Sequence, residues 1–226
     1  MGISIVILSY YRPHRLKTCL DSVLRDVPGG SQIIVIDNSV DNKAKIEEQL
    51  EIKQYLEQKQ TEYPDCVEVV FNDSNLKFSR GMNQGIGLCK NQFIFLLNND
   101  IEIVTPNTFS TMANCFSEGM GSLTPVTKYS NGHIYCSGAY GKGRHKRDQI
   151  TEPRETEWNN FAFICIPREV FTAVGLLETG KAKVPCWGIR DCSHYHSDHN
   201  WCQRASDFGY EHWVHPIIVN HYHKED

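Results

Sequence analysis

The residues best suited to chemistry stand where apolar runs end. In Gln92-Phe93-Ile94-Phe95-Leu96-Leu97-Asn98-Asn99-Asp100, an apolar stretch without alternation stops at two amides and a carboxylate. Such a run predicts a strand buried on both faces, as in a parallel sheet covered by helices. Ligands of these sheets bind beyond the carboxyl ends of the strands. Oxygen ligands there could hold a hard divalent cation, and the cation could hold phosphates. An ordinary strand-to-loop exit is the competing reading, because Asn and Asp favour turns. Asp37 closes a second run, Ile33 to Ile36, and could accept hydrogen bonds from a base or ribose or serve as an Asx-turn residue. The turn after the first run, Ser9-Tyr10-Tyr11-Arg12-Pro13, offers aromatic rings for stacking and a guanidinium for phosphate. It carries no glycine, so it is not a dinucleotide fingerprint, and no Walker-type phosphate loop is present.

The elements that must position these groups follow from periodicity. Ile3 to Leu8, Ile33 to Ile36, Val67 to Phe71 and the run ending at Asp100 read as strands. Between them lie a helix entered at Pro13 with Leu16, Leu20 and Leu24 on one face, an exposed helix from about Asn42 to Gln60, and a helix from Arg80 to Cys89. This alternation predicts right-handed βαβ units and an α/β fold with a mostly parallel sheet. The second half is less regular. Short strands are expected between about Gly121 and Tyr140, helices over Pro106–Phe116, Pro167–Gly175 and Asp198–Phe208, and an irregular stretch over Gly180–Ser193. Ser197 is the expected N-cap of the last helix, and Gly209 its stop.

With 226 residues the chain can bury one substantial core. A net charge of -4 argues against a nucleic-acid surface or a polybasic membrane patch, and the cluster Lys142 to Arg147 is too short to reverse that. No run reaches membrane-spanning length, and the N-terminus lacks the pattern of a signal peptide. Nine scattered cysteines point to a reducing, cytoplasmic compartment rather than a disulfide framework.

Four blocks in order resemble family 2-type glycosyltransferases of the GT-A fold. They are Ile5-Val6-Ile7-Leu8-Ser9-Tyr10-Tyr11-Arg12-Pro13, Ile34-Val35-Ile36-Asp37-Asn38-Ser39, Asn75-Leu76-Lys77-Phe78-Ser79-Arg80-Gly81-Met82-Asn83-Gln84-Gly85-Ile86, and Leu96-Leu97-Asn98-Asn99-Asp100. The resemblance implies one GT-A domain over residues 1–226, with residues 1–100 holding a nucleotide sugar and residues 101–226 an acceptor. It implies a donor site of Ser9, Tyr11, Arg12, Asp37, Asn75, Arg80, Asn83 and Asn99. It gives Asp100 a Mn2+ or Mg2+ ion, completed by His221 or, failing that, His223. Asn98 stands where a second carboxylate could be, which leaves much of the coordination to the donor's phosphates. Ser197-Asp198-His199-Asn200-Trp201-Cys202-Gln203-Arg204-Ala205 resembles the family's general-base block, retaining only the carboxylate of Asp198. Placement in a first helical turn would suit an ionised base there, and Asp191 is the nearest rival.

Trp187 could stack on an acceptor sugar. The implied activity is inverting transfer from a nucleoside-diphosphate sugar, uridine- or thymidine-based, to a carbohydrate or glycoconjugate hydroxyl. Two alternatives remain: a nucleotidyltransferase on a similar sheet, and a zinc-stabilised interaction module. The second would use Cys186, Cys192, His194, His196, His199 and Cys202, although these lack the paired spacing of closed zinc sites.

Overall fold

Strand alternation in the first run sorts the core into two halves. Ile3, Ile5 and Ile7 pack with Leu16 and Leu20 on one face of the sheet, while Val6 and Leu8 pack with Met82 and Ile86 on the other. A computed structural model describes residues 2–141, 144–185 and 187–222. Its elements are β1 (Ile3–Ser9), α1 (Pro13–Asp26), β2 (Gln32–Asp37), α2 (Ile46–Glu62), β3 (Val67–Phe71), α3 (Lys77–Leu88), β4 (Phe93–Asn98), β5 (Ile101–Ile103) and α4 (Thr108–Asn114). They continue as β6 (Met120–Lys128), β7 (Ile134–Cys136), β8 (Ala139–Tyr140), β9 (Arg144–His145), β10 (Arg154–Thr156), β11 (Phe163–Pro167), α5 (Arg168–Val174), β12 (Lys181–Val184), β13 (Gly188–Asp191), α6 (Ser197–Asp207) and β14 (Glu211–His221).

Among the described residues the main sheet runs β10-β14-β6-β11-β4-β1-β2-β3. Strands β4, β1, β2 and β3 are parallel, as the βαβ pattern predicts. The second half joins the same sheet through β11, antiparallel to β4, and through the parallel pair β6 and β14. Short β5 pairs with the end of β14, setting His221 opposite Ile101. The stretch expected to be irregular, Gly180–Ser193, is instead a hairpin of β12 and β13. No helix among the described residues is long and apolar enough to cross a membrane.

Two glycines set how closely α3 rides on the sheet. A Cβ at Gly85 would fall 2.3 Å from Val6 Cγ1, and one at Gly81 2.6 Å from Leu8 Cδ1. The bare backbone lets α3 settle against β1, which brings Lys77 and Phe78 to the carboxyl ends of the strands.

Candidate active site

The turn after β1 is held in an unusual shape. Tyr11 (φ 55°) and Arg12 (φ 59°) are consecutive non-glycine residues in the left-handed region. Each costs roughly 1–2 kcal/mol, so the surroundings must compensate. Tyr11 N–H donates to Ser39 Oγ (2.7 Å), and Ser39 Oγ–H donates to Asp37 Oδ1 (2.6 Å). Asn99 Nδ2 donates to Tyr11 O (3.0 Å), Arg12 N–H to Glu48 Oε2 (2.9 Å), and Asn42 N–H to the Tyr11 hydroxyl (2.8 Å). Arg12 caps α1, and Pro13 follows at its first turn. No described residue hydrogen-bonds or ion-pairs with the Arg12 guanidinium, which lines the cleft beyond the strand ends.

This cleft has two adjoining lobes, one of about 590 Å³ and one of about 380 Å³. Arg12, Phe78, Asn98, Asp100, His194 and Tyr195 line both. The larger lobe adds Tyr10, Tyr11, Lys45, Lys77 and the amides of Asn38, Asn42, Asn75 and Asn99. Cations beside amides and aromatic rings suit a nucleotide diphosphate. The smaller lobe adds Asp198, His221, Tyr135, Asn160 and Phe161.

Asp100 closes the two-residue connection from β4 to β5. Its Oδ1 is buried without a hydrogen bond, and His221 Nε2 lies 3.4 Å away. Tyr222 N–H donates to Asp100 O (2.8 Å), the Tyr222 hydroxyl to Glu102 Oε2 (2.6 Å), and Arg15 to Tyr222 O. These bonds fasten the end of β14 to the Asp100 turn. Tyr135 meets the His221 ring edge-on, 5.1 Å between centroids. A buried carboxylate oxygen facing an imidazole nitrogen is a donor pair that fits a manganese or magnesium ion. Among the described residues no group of three His, Cys, Asp or Glu could close a metal shell. His223 lies outside the described residues.

Asp198 occupies the first turn of α6. The N-cap is His196 in left-handed conformation (φ 66°), not Ser197, which already belongs to the helix. Asp198 is half-buried, and its Oδ1 accepts from His199 N–H (2.8 Å). Desolvation raises its pKa above that of an ordinary aspartate, against the opposing pull of the His199 N–H. Asp191, the rival base, is exposed, and its pKa is lowered chiefly by the Ser193 N–H. It lines a separate outer cavity with Arg80, Lys77 and Lys181.

Several expected site residues serve the site from behind. Asp37 is 3% exposed and does not line the cleft; through Ser39 it seats the Tyr11 turn, and burial raises its pKa. Ser9 is fully buried beneath that turn. Asn83 spends its amide on Leu177, accepting from its N–H (3.0 Å) and donating to its carbonyl (2.8 Å). Arg80 opens to the outer cavity rather than to the larger lobe. Trp187 does not line the smaller lobe but tilts against His196, 5.3 Å between centroids. Tyr11, Arg12, Asn75, Asn99, Asp100, Asp198 and His221 do line the cleft.

Sequence reasoning missed Tyr135 and Tyr195, and gave His194 only to the zinc alternative although it lines the cleft. The alternation His194-Tyr195-His196 could have drawn attention as a rim, whereas only the sheet topology brings Tyr135 to the site. The zinc constellation disperses among the described residues: Cys202 Sγ faces Asn159 O, His199 stacks on Trp158, and Cys192 Sγ faces Arg190 O. Cys186 lies outside the described residues.

No curated protein matches the sequence. Among solved structures, GalNAc-T7 with UDP, GalNAc and Mn2+ superposes with a TM-score of 0.73 at 19% identity, covering 99% of this chain and 44% of that one. The mannosyltransferase PcManGT from Pyrobaculum calidifontis, in complex with GDP-Man and Mn2+, gives a TM-score of 0.67 at 11% identity, covering 99% of this chain and 57% of that one. The chain thus spans about half the length of these structures, and at such identities the likeness shows the fold, GT-A. The model of the family described as Glycosyl transferase family 2 matches residues 4–170, which ends before α6 and Asp198. With most of its length matched, the chain belongs to glycosyl transferase family 2.

Proposed function

We propose that the chain is a metal-dependent inverting glycosyltransferase that moves a sugar from a nucleoside-diphosphate sugar to an acceptor hydroxyl. The observation that carries this reading is that Asp100, Arg12 and Asp198 face one continuous cleft, with Asp198 in the smaller lobe alone. The larger lobe takes the nucleotide, uridine or thymidine diphosphate. Tyr10 and Tyr11 flank the base, and Arg12, Lys45 and Lys77 face the phosphates. The smaller lobe takes a carbohydrate or glycoconjugate acceptor against Tyr135 and Phe161.

Asp198 accepts the acceptor's hydroxyl proton while that oxygen attacks the anomeric carbon from the face opposite the diphosphate. A bond forms between the acceptor oxygen and the anomeric carbon. The bond to the diphosphate oxygen breaks, and its electron pair leaves with the diphosphate. The raised pKa of Asp198 makes the carboxylate a stronger base than an exposed aspartate. A manganese or magnesium ion held by Asp100, His221 and the donor's phosphates would supply charge stabilisation for the departing diphosphate. Arg12 and the lysines add fixed positive charge on the same side. The net charge of -4 supports a partner other than nucleic acid, and the buried free cysteines support a reducing, cytoplasmic setting.

The test is Asp198→Asn. Sugar transfer, or donor hydrolysis in its absence, should fall about 100- to 10,000-fold with donor affinity unchanged. Loss of donor affinity to the same extent would show that Asp198 holds structure rather than a proton.

A further inference from the structure

We propose that the acceptor is an acidic glycan whose carboxylate or sulfate group is bound by Arg147, at the outer edge of the smaller lobe. The inference rests on the acceptor reading above and names the class of acceptor. The segment Lys142-Gly143-Arg144-His145-Lys146-Arg147 holds four cations and no acid in a chain of net charge -4. Such a patch is too short for a nucleic acid and sufficient for one anionic group. Lys142 and Gly143 lie outside the described residues.

The rest of the segment is fastened beside the smaller lobe. β9 pairs antiparallel with β8, and the pairing runs on, with Lys146 N–H donating to Gly138 O (2.8 Å) and Ser137 N–H to Lys146 O (2.9 Å). The His145 ring packs against Tyr135 (5.2 Å between centroids, edge-on) and Trp158 (5.7 Å). Tyr135 lines the lobe together with Asp198. Alternation along this extended stretch puts Arg147 on the side of His145, and Arg144 and Lys146 on the other. Lys146 accordingly lies over the Tyr140 ring, 4.4 Å from its centroid. Burial raises the pKa of the Tyr135 hydroxyl; Arg147 opposes that rise and Asp198 adds to it, so Tyr135 lies within reach of both charges.

Arg147 is exposed, and no described residue hydrogen-bonds or ion-pairs with its guanidinium. Carboxylates nearby are already engaged. Asp148 accepts from Arg154 Nη1 (2.7 Å) and the Ser137 hydroxyl (2.8 Å), and Glu157 from Gly141 N–H (2.7 Å). A guanidinium presents paired N–H donors that match two oxygens of a carboxylate or sulfate. A sugar resting on Tyr135 with its hydroxyl at Asp198 would set an anionic substituent, or the acid of the next sugar, at Arg147.

The experiment measures dissociation constants at low salt, with UDP and manganese present, for p-nitrophenyl glucoside, p-nitrophenyl glucuronide and the sulfate ester of the glucoside. It uses wild type, Arg147→Gln and Arg144→Gln. Wild type should bind at least one anionic probe about 3- to 10-fold tighter than the neutral glucoside, and which probe gains distinguishes carboxylate from sulfate. Arg147→Gln should erase that preference while affinity for UDP and for the glucoside stays within about twofold; an exposed side chain without a partner can be replaced without unfolding the chain. Arg144→Gln removes the same charge from the opposite side of the hairpin and should keep the preference. Anionic probes that bind no tighter than the glucoside in wild type overturn the acidic acceptor and leave the donor reading standing. A preference that survives Arg147→Gln, or falls equally in both variants, overturns Arg147 as its source. Wild type that binds no UDP overturns the donor reading as well.

Discussion

Replacing Ser39 by alanine tests how the left-handed turn at Tyr11 and Arg12 is held. Ser39 is fully buried and bridges two groups, accepting from Tyr11 N–H at 2.7 Å and donating to Asp37 Oδ1 at 2.6 Å. Alanine removes both bonds and admits no water in their place. A buried N–H left without a partner costs about 1–3 kcal/mol, and losing a hydrogen bond to a charged group costs about 1.5–3 kcal/mol. The two share one site and are not additive, so Ser39→Ala should lose about 2–4 kcal/mol. At about 2–4 °C per kcal/mol for a chain of this size, the melting temperature should drop by roughly 5–15 °C. Because the turn aims Arg12 into the cleft, nucleotide affinity should also fall under conditions where the variant remains folded. Urea unfolding gives the first quantity and calorimetric titration of UDP with manganese the second. A stability change under about 0.5 kcal/mol, the range of ordinary surface substitutions, would refute the relay from Asp37 through Ser39 to Tyr11.

Other consequences follow from the same geometry. Because burial raises the pKa of Asp198, kcat/KM should fall on acidification with an apparent pKa above the ordinary aspartate value of about 4; a profile flat down to pH 4 would remove Asp198 as the base. The folded state also favours protonated Asp198, so its native form holds more protons than the unfolded chain between the ordinary and the raised pKa. Stability is therefore lost as pH rises through that window, and Asp198→Asn should gain stability above it relative to below it, as thermal melts against pH will show. His221→Ala should weaken manganese-dependent nucleotide binding without altering metal-free binding; an equal loss in both would assign His221 to packing against Tyr135. Gly85→Ala drives a methyl to within 2.3 Å of Val6 Cγ1 and should cost about 1–3 kcal/mol, read by denaturant unfolding, while a neutral effect would mean that α3 can lift from the sheet without consequence.

Much of this was legible in the residues, and the misreadings have physical causes. The unbroken apolar run into Asp100 announced a central strand and its polar exit, and β4 sits between β1 and β11. Asp37 ends a strand, as a nucleotide contact would, but alternation places it with Val35 and Ile33, on the face away from α3. Asn38, one residue on, reaches the cleft instead. The same period of two hides Ser9 beneath the turn and leaves Leu8 and Asn98 in view. Asn83 illustrates the helical version: the block that carries it fixes α3, yet only its packing against Leu177 shows which face it serves. The pairing of His221 with Asp100 depends on β5 and β14 meeting across more than a hundred residues of chain, which no local pattern encodes. The hairpin at Lys181–Asp191 lacks an alternating apolar signal, because β13 is exposed on both faces.

The most direct test is whether one cleft holds a nucleoside diphosphate and a divalent ion through Asp100. Calorimetric titration of UDP and TDP into wild type and Asp100→Ala, with and without manganese, measures this. The prediction is that manganese tightens binding at least about tenfold in wild type and leaves the variant unchanged. Binding that ignores manganese in wild type, or gains equally from it in Asp100→Ala, would contradict the site as described.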